Sequence, residues 1–532
     1  MKELIYPRLL LPRAETLADK VAFVDVTREG IRYEGTFGTH VERLLRLTSA
    51  MRSELGVKRG DRFAVLAMNG HEFIELYHAA LFGAGIINPL NIRFTPAELA
   101  YVINNSDSRV VFTDPVFARL IDKAVAEEGA KIEKLVVIAG LPGDGVTGRD
   151  PDTISYEELL SAGEPTMPPE PDEDDAAILM YTGGTTGFPK GALLEQRAEV
   201  LNVYHVMFEI GLRENRRFLF QSPMFHAAVV AGVLGIPGTG ATSVTIPLFD
   251  AELVLRVVED QKIDTTMMVP VMFSLLERAE GFSAERLASL RQLVYGAAPI
   301  SPDLLARWLE LLPEADFIQG YGMTEAASVL TFLAAADHRR PGEALTAAGR
   351  PVIGVELQIT DSLGNPLADG EAGEVCARGG NLMREYWNNP EETAAAMRDG
   401  WYRTGDMGYI DSRGLLHLTD RMKDMIVTGG ENVYSTEVEN AIAAHPDVAE
   451  VAVIGVPSET WGEAVHAIVV LKEEGKATAD DLIEYTRRVL AGFKVPKSVE
   501  FQKGPLPLSG AFKPLKRELR KRYWQGRNRQ VS

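Results

Sequence analysis

Cysteine is almost missing from these 532 residues: Cys376 is the only one. A single thiol excludes a disulfide framework and a cysteine-rich zinc site, and it fits a reducing compartment. Basic residues fall short as well, with 55 lysines and arginines against 75 aspartates and glutamates and a formal net charge of −20. That balance argues against the basic face that a nucleic-acid-binding surface needs. The opening residues, Met1-Lys-Glu-Leu-Ile-Tyr-Pro-Arg8, hold no apolar core of signal-peptide length. The uncharged segment Ala227 to Ile246 could be mistaken for a membrane span, but it contains Gly232, Gly235, Gly238, Gly240, Pro237 and four hydroxyl residues. It reads as a buried strand–turn–helix passage. No tandem repeat and no low-complexity tract is present. A cytoplasmic protein without a transmembrane segment is expected, with a peripheral membrane contact left open.

The composition, 46% hydrophobic and 24% charged, is that of an ordinary globular protein, and the length calls for two or more domains. Apolar runs of strand length alternate with helical patterns. Arg62–Ala67 precedes a helical stretch near Glu72–Phe82, and Val110–Thr113 and Leu135–Ile138 read as further buried strands. Thr265–Pro270 and Gln292–Gly296 flank the helical stretch Pro270–Glu280. Such alternation predicts layered α/β architecture with parallel sheets. The acidic, proline-rich stretch Glu164–Asp175 reads as a solvated connector at a first internal boundary. From Gly354 the texture changes to short strands with hairpin turns, among them Glu374–Arg378. A compact final segment follows Asp420-Arg421. Its expected strands are Asp424–Val427 and Val448–Val456, and its expected helices lie near Ser435–Ala444 and Ala479–Leu490. These features divide the chain into residues 1–421 and 422–532.

The stretch Tyr181-Thr-Gly-Gly-Thr-Thr-Gly-Phe-Pro-Lys-Gly191 follows the apolar run Ala176–Met180. A buried strand that delivers such a loop presents backbone N–H groups and hydroxyls to a phosphate. Gly183, Gly184 and Gly187 allow close approach of an anion, and Thr182, Thr185 and Thr186 can donate to phosphate oxygens or ligate a bridging magnesium ion. Lys190 adds a cation. The pattern is neither a Walker A loop, because Pro189 precedes the lysine and Gly191 follows it, nor a dinucleotide fingerprint.

A second site candidate is Gln319-Gly-Tyr-Gly-Met-Thr-Glu325, after the strand Ala315–Ile318. An acid at the carboxyl edge of a parallel sheet lies where open α/β sheets bind ligands, and Glu325 suits a magnesium ligand while Thr324 suits a phosphate or carboxylate contact. Taken alone, Thr324-Glu325 is equally well a helix N-terminus with an acid in its first turn. In Tyr295-Gly-Ala-Ala-Pro-Ile300, Gly296, Ala297 and Ala298 can expose backbone to a flat ring, or can serve close packing. Asp406, in Trp401-Tyr-Arg-Thr-Gly-Asp406, is a carboxylate able to accept both hydroxyls of a ribose, with Arg421 as a fixed cation nearby.

In this order and spacing the motifs closely resemble those of the adenylate-forming superfamily, which includes acyl-CoA synthetases, aryl-CoA ligases, luciferases and peptide-synthetase adenylation domains. The resemblance spans roughly residues 25 to 520. It implies a large N-terminal region of α/β layers with a small β-barrel, and a small mobile α+β C-terminal domain. It implies that a carboxylate and MgATP give acyl-AMP and pyrophosphate, and that coenzyme A then displaces AMP. The nucleotide frame becomes the threonine loop with Lys190, the segments Gly296–Ala298 and Gln319, Gly320, Tyr321, Gly322, Thr324, then Asp406, Arg421 and Lys423. Thr182 and Glu325 become the magnesium ligands. Lys513 becomes the mobile lysine of adenylation, preceded by Phe512 where relatives usually carry glycine. Gly429 and Gly430 line the pantetheine tunnel of the thioester-forming state, with Ser435 standing where many relatives carry proline.

The resemblance also makes His226 the gate beside the acyl pocket, whose candidate lining, Ala227, Ala228, Val229, Val230 and Gly232, is small and uncharged. A hydrophobic acid, a fatty acid first, suits that lining better than an amino acid or a dicarboxylate. An aryl- or cyclic-acid–CoA ligase, carrier-protein loading, luciferase-type oxygenation and non-catalytic binding are the alternatives. A homodimer is the expected assembly.

Overall fold

A computed structural model describes residues 3–138, 153–182, 189–298, 300–340, 343–421, 424–429, 431–458, 460–473, 475–508 and 514–525. Two large sheets organise the N-terminal region. One has nine strands, and its parallel centre is Gln292–Gly296, Thr265–Met268, Arg217–Phe220, Thr242–Thr245 and Val21–Thr27. Asp316–Tyr321 continues the parallel run beyond Gln292–Gly296, and antiparallel strands close both edges. The other sheet has eight strands. Ala176–Thr182, Ile86–Pro89, Arg62–Leu66, Val110–Thr113, Lys134–Val137 and Thr153–Ser155 run parallel in that order.

The helix His71–Leu81 is buried at every position, so its polar residues need partners. Arg43 bonds Glu75 at 2.7 Å, the Tyr156 hydroxyl donates to Glu75 at 2.8 Å, and Arg32 meets Glu72 at 2.7 Å. These contacts let a charged helix sit inside an apolar core.

Several sequence expectations change. The segment Ala227 to Ile246 is helix, turn and strand, in that order: helix Ala227–Gly238, then strand Thr242–Thr245. Its glycines are packing positions. A Cβ on Gly232 would lie 3.1 Å from the Phe220 ring, and one on Gly235 would lie 2.7 Å from the end of Met207. The stretch 164–175 does not separate domains, because the strands before and after it belong to one sheet. It is also stapled down: Arg59 reaches Asp172 and Asp175 at 2.6 and 2.5 Å, Arg8 reaches Glu170, and Glu173 accepts the N–H groups of Glu3 and Leu4. The strand expected at Asp424–Val427 is Ile426–Thr428, and the helix expected at Ala479–Leu490 ends at Arg487.

The small barrel appears as a five-stranded antiparallel sheet around the long strand Trp401–Ile410, and its described pairings run open. The C-terminal segment has its own five-stranded sheet and separate apolar clusters on its two faces. Among the described residues no helix is long and apolar enough to cross a membrane.

Candidate active site

A cavity of about 1010 Å³ opens where the carboxyl ends of the two large sheets meet the small sheet and the C-terminal segment. Its walls include Thr182 and Lys190, Tyr295 and Ala297, Gly320 to Glu325 except Tyr321, Thr404 and Gly405. Asp424, Pro514 and Leu515 line it from the C-terminal side. Ligands of open α/β sheets bind at such edges.

At one end the hairpin of Ala176–Thr182 and Lys190–Glu195 pairs Thr182 with Lys190 across its mouth. The Thr182 hydroxyl donates to the Lys190 carbonyl at 3.4 Å. The ammonium of Lys190 is held 2.6 Å from Glu392 and lies 5.7 Å from the Tyr386 ring centre. The candidate loop residues Gly183, Gly184, Thr185, Thr186 and Gly187 lie outside the described residues.

Glu325 sits in one 3-10 turn, Thr324–Ala326, within the loop that joins Asp316–Tyr321 to Thr331–Leu333. It is buried, and its Oε1 accepts from the Tyr386 hydroxyl at 2.8 Å. Burial and then the Glu325 charge push the phenols of Tyr386 and Tyr402 well above their ordinary range, so both remain neutral donors. Glu325 and Thr182 both line this cavity, and a carboxylate and a hydroxyl are oxygen donors of the kind a hard divalent cation takes. Glycine at 322 is forced, since a Cβ there would meet the Ser328 carbonyl at 1.9 Å.

Asp406 is buried one residue beyond the cavity wall at Gly405, and its Oδ2 accepts from the Tyr321 hydroxyl at 2.8 Å. Arg421 is its register partner on the neighbouring strand.

The remaining end is apolar. His226 caps the helix Ala227–Gly238, its Nδ1 accepting from the Ala228 N–H at 3.2 Å. Beyond it the wall runs along Ala227, Val229, Ala231, Gly232 and Ile236, faces Val206, Met207 and Ile210 of the helix Gln196–Ile210, and ends at Leu212 and Phe218. Among the described residues no charged side chain lines this stretch.

A sequence profile described as AMP-binding enzyme matches residues 12–387, and one described as AMP-binding enzyme C-terminal domain matches residues 437–513. The chain belongs to the AMP-binding enzyme family. Within it, the AMP-forming acyl-CoA ligases are its relatives. It is 36% identical over 498 residues to a feruloyl-CoA synthase of an Amycolatopsis species, covering 93% of this chain and 95% of that protein. It is 34% identical over 510 residues to the medium/long-chain-fatty-acid–CoA ligase FadD8 of Mycobacterium tuberculosis, covering 93% and 87%. The ATP-bound structure of MatB from Rhodopseudomonas palustris superposes with a TM-score of 0.85 at 28% identity, covering 98% and 99%.

Not every expected residue of this AMP-binding enzyme reaches the cavity wall. Gly296 is buried beneath it, because a Cβ there would meet the Gly320 carbonyl at 2.1 Å; the packing reading explains this glycine. Ala298 also stands off the wall, while Tyr295 and Ala297 line it. Gln319 and Tyr321 act from behind: Gln319 Oε1 accepts from the Tyr295 hydroxyl at 3.3 Å, and Tyr321 holds Asp406. Val230 turns into the core, whereas Ala227, Ala228, Val229 and Gly232 line the wall as expected.

Gly429, at φ +61°, is exposed and donates its N–H to the Trp461 carbonyl at 2.8 Å, away from the wall. Lys423, Gly430 and Lys513 lie outside the described residues, though Asp424 and Pro514, their neighbours in sequence, line the cavity. Sequence reading missed Tyr386, Glu392 and the wall from Val206 to Leu212. The near-continuous apolar face of Gln196–Ile210 was the one available signal for that wall.

The buried group Asp25, His71 and Glu72 brings ligand atoms within 4.8 Å of one another. Arg32 already fills it, 2.5 Å from Asp25 and 2.7 Å from Glu72, so it is an internal ion-pair network.

Proposed function

We propose that this enzyme activates a hydrophobic carboxylic acid, a fatty acid first, to acyl-AMP and then transfers the acyl group to coenzyme A. The observation that carries the substrate class is the uncharged wall from His226 to Phe218. A carboxylate or ammonium on the far end of the acid would be buried there without a partner, at a cost of several kcal/mol on the order of those for unpaired buried ions. An aryl acid is the second reading, supported by the small residues Ala227, Ala231 and Gly232 that line the cavity near His226.

In the first half-reaction a carboxylate oxygen of the acid attacks the α-phosphorus of ATP, and the bond to pyrophosphate breaks. Thr182 and Glu325 would hold a magnesium ion, which would neutralise phosphate charge. Lys190 and the threonine loop bind the phosphates, Asp406 the ribose, and Thr324 the phosphate or carboxylate oxygens. Lys513 stabilises the charge that develops at phosphorus and on the leaving group. In the second half-reaction the coenzyme A thiol attacks the acyl carbon and AMP leaves, with Gly429 and Gly430 along the thiol's path. His226 orders the mouth of the acyl pocket. The same reading puts the domain boundary at 421/422, and the protein in the cytoplasm as a homodimer.

The test is pyrophosphate release with a panel of acids, with and without coenzyme A. Fatty acids should release pyrophosphate and, with coenzyme A, yield the thioester. Preference for a dicarboxylate or an amino acid would overturn the substrate class. ATP cleavage without AMP would overturn the reaction.

A further inference from the structure

The loop between Tyr321 and Thr331 carries Thr324 and Glu325, and its backbone is strained where it leaves them. Ala327 and Ser328 are consecutive non-glycine residues with positive φ, +49° and +111°. Such conformations persist only where the surroundings impose them. Here the surroundings are two fully buried asparagines from distant parts of the chain. From the helix Gln196–Ile210, the Asn202 amide donates to the Ala327 carbonyl and, at 3.0 Å, to the Ser328 hydroxyl. From the other side, the Asn381 amide donates to the carbonyls of Ala326 at 3.0 Å and Val329 at 2.8 Å. Two residues further on, the Met383 N–H donates to the Glu325 carbonyl at 2.7 Å, and Tyr386 then reaches the Glu325 carboxylate.

We infer that Asn202 and Asn381 are positioning residues that fix Glu325 at the phosphate end of the cavity. Each spends its amide N–H groups on this one loop, and the Oδ1 atom of each has no hydrogen-bond partner among the described residues. A buried polar atom left unsatisfied costs stability, so these two amides are placed to grip the loop and not to complete their own hydrogen bonding. Ser328 and Val329 themselves line the cavity, so the grip acts on the wall directly. The inference rests on the reading of Glu325 as a group of the adenylation site.

The test measures acid-dependent ATP–pyrophosphate exchange in three variants of the full chain, together with thermal melting. Asn202→Leu keeps the side-chain volume and removes the donor. Its exchange kcat should fall about 10- to 100-fold with the KM for acid changed less than about threefold, the effect expected of a small displacement of a reacting group. Ser328→Gly removes the strained φ and the hydroxyl, so its melting temperature should hold or rise while kcat falls about tenfold. A purely structural role would not separate those two readouts. Glu325→Gln tests the underlying reading and should slow exchange and raise the magnesium requirement. If Glu325→Gln is impaired while Asn202→Leu and Ser328→Gly both keep kcat within about threefold, the clamp is refuted and the site reading stands. If Asn202→Leu does not fold, Ser328→Gly alone decides. An unimpaired Glu325→Gln overturns the site reading and the inference with it.

Discussion

Glu199 offers a measurement of what a charge inside this core costs. It lies on the helix Gln196–Ile210, fully buried, and neither carboxylate oxygen has a hydrogen-bond partner among the described residues. Burial pushes its pKa up from an ordinary 4.5 to about 8. Below pH 4.5 the folded and unfolded chains both carry the proton and burial costs nothing through ionisation. Between pH 4.5 and 8 the unfolded chain releases the proton and the folded chain keeps it, so stability falls as pH rises and levels off above 8. At pH 7 the accumulated cost is about 3 kcal/mol, since stability drops by about 1.4 kcal/mol for every tenfold fall in proton concentration across that window.

Glu199→Gln keeps the shape and removes the titration. Thermal melting of both proteins at pH 5 and pH 8 should show little difference at pH 5 and a clearly more stable variant at pH 8. An equal difference at the two pH values, or a variant less stable at pH 8, would refute the reasoning.

Lys513→Ala should lower adenylation about 100-fold or more while sparing thioester formation from pre-made acyl-AMP; equal losses in both half-reactions would contradict its assigned role. Lys423→Pro, which fixes φ and removes a donor at the proposed hinge, should keep adenylation and lose thioester formation, and acyl-CoA made at the normal rate would rule the hinge out. Gly232→Val narrows the acyl wall beside Phe220 and should raise the KM of long-chain acids about tenfold or more relative to short ones, by the worth of one or two methylenes of lost contact. An unchanged chain-length profile would place the acid elsewhere.

Motifs that act within a few residues of themselves were legible. Strand Val110–Thr113 has the bounds that its apolar run predicts, and the Thr182 and Glu325 segments both reach the cavity wall. Glycine was harder to read. The glycines between Ala227 and Ile246 pointed to a strand–turn–helix passage, yet Gly232 and Gly235 lie inside a helix, where the Phe220 ring and the end of Met207 pack close against them. Gly296 could be read as exposed backbone or as close packing, and the Gly320 carbonyl, 2.1 Å from where a Cβ would stand, accounts for it by packing. Asn202, Asn381 and Tyr386 left no signal at all: each acts across more than fifty residues of chain, and spacing along a sequence carries no information about such contacts.

The same distinction explains why the reaction could be read before the substrate. The end of the cavity proposed to bind phosphate lies beside strand ends, at Thr182 and beyond Tyr321, so its residues follow apolar runs that the sequence shows directly. The end proposed to bind the acyl group is lined by two helices facing each other, and its width depends on which small residue on one meets which side chain on the other. Met207 illustrates the point. It lines the cavity and at the same time fills the space that Gly235 leaves open on the opposite helix. Its unbranched, flexible side chain can take up alternative rotamers at low cost. On the proposed assignment, depth at this end follows from the fit between the two helices, and changes there can alter it without touching the strand-end motifs at the other end.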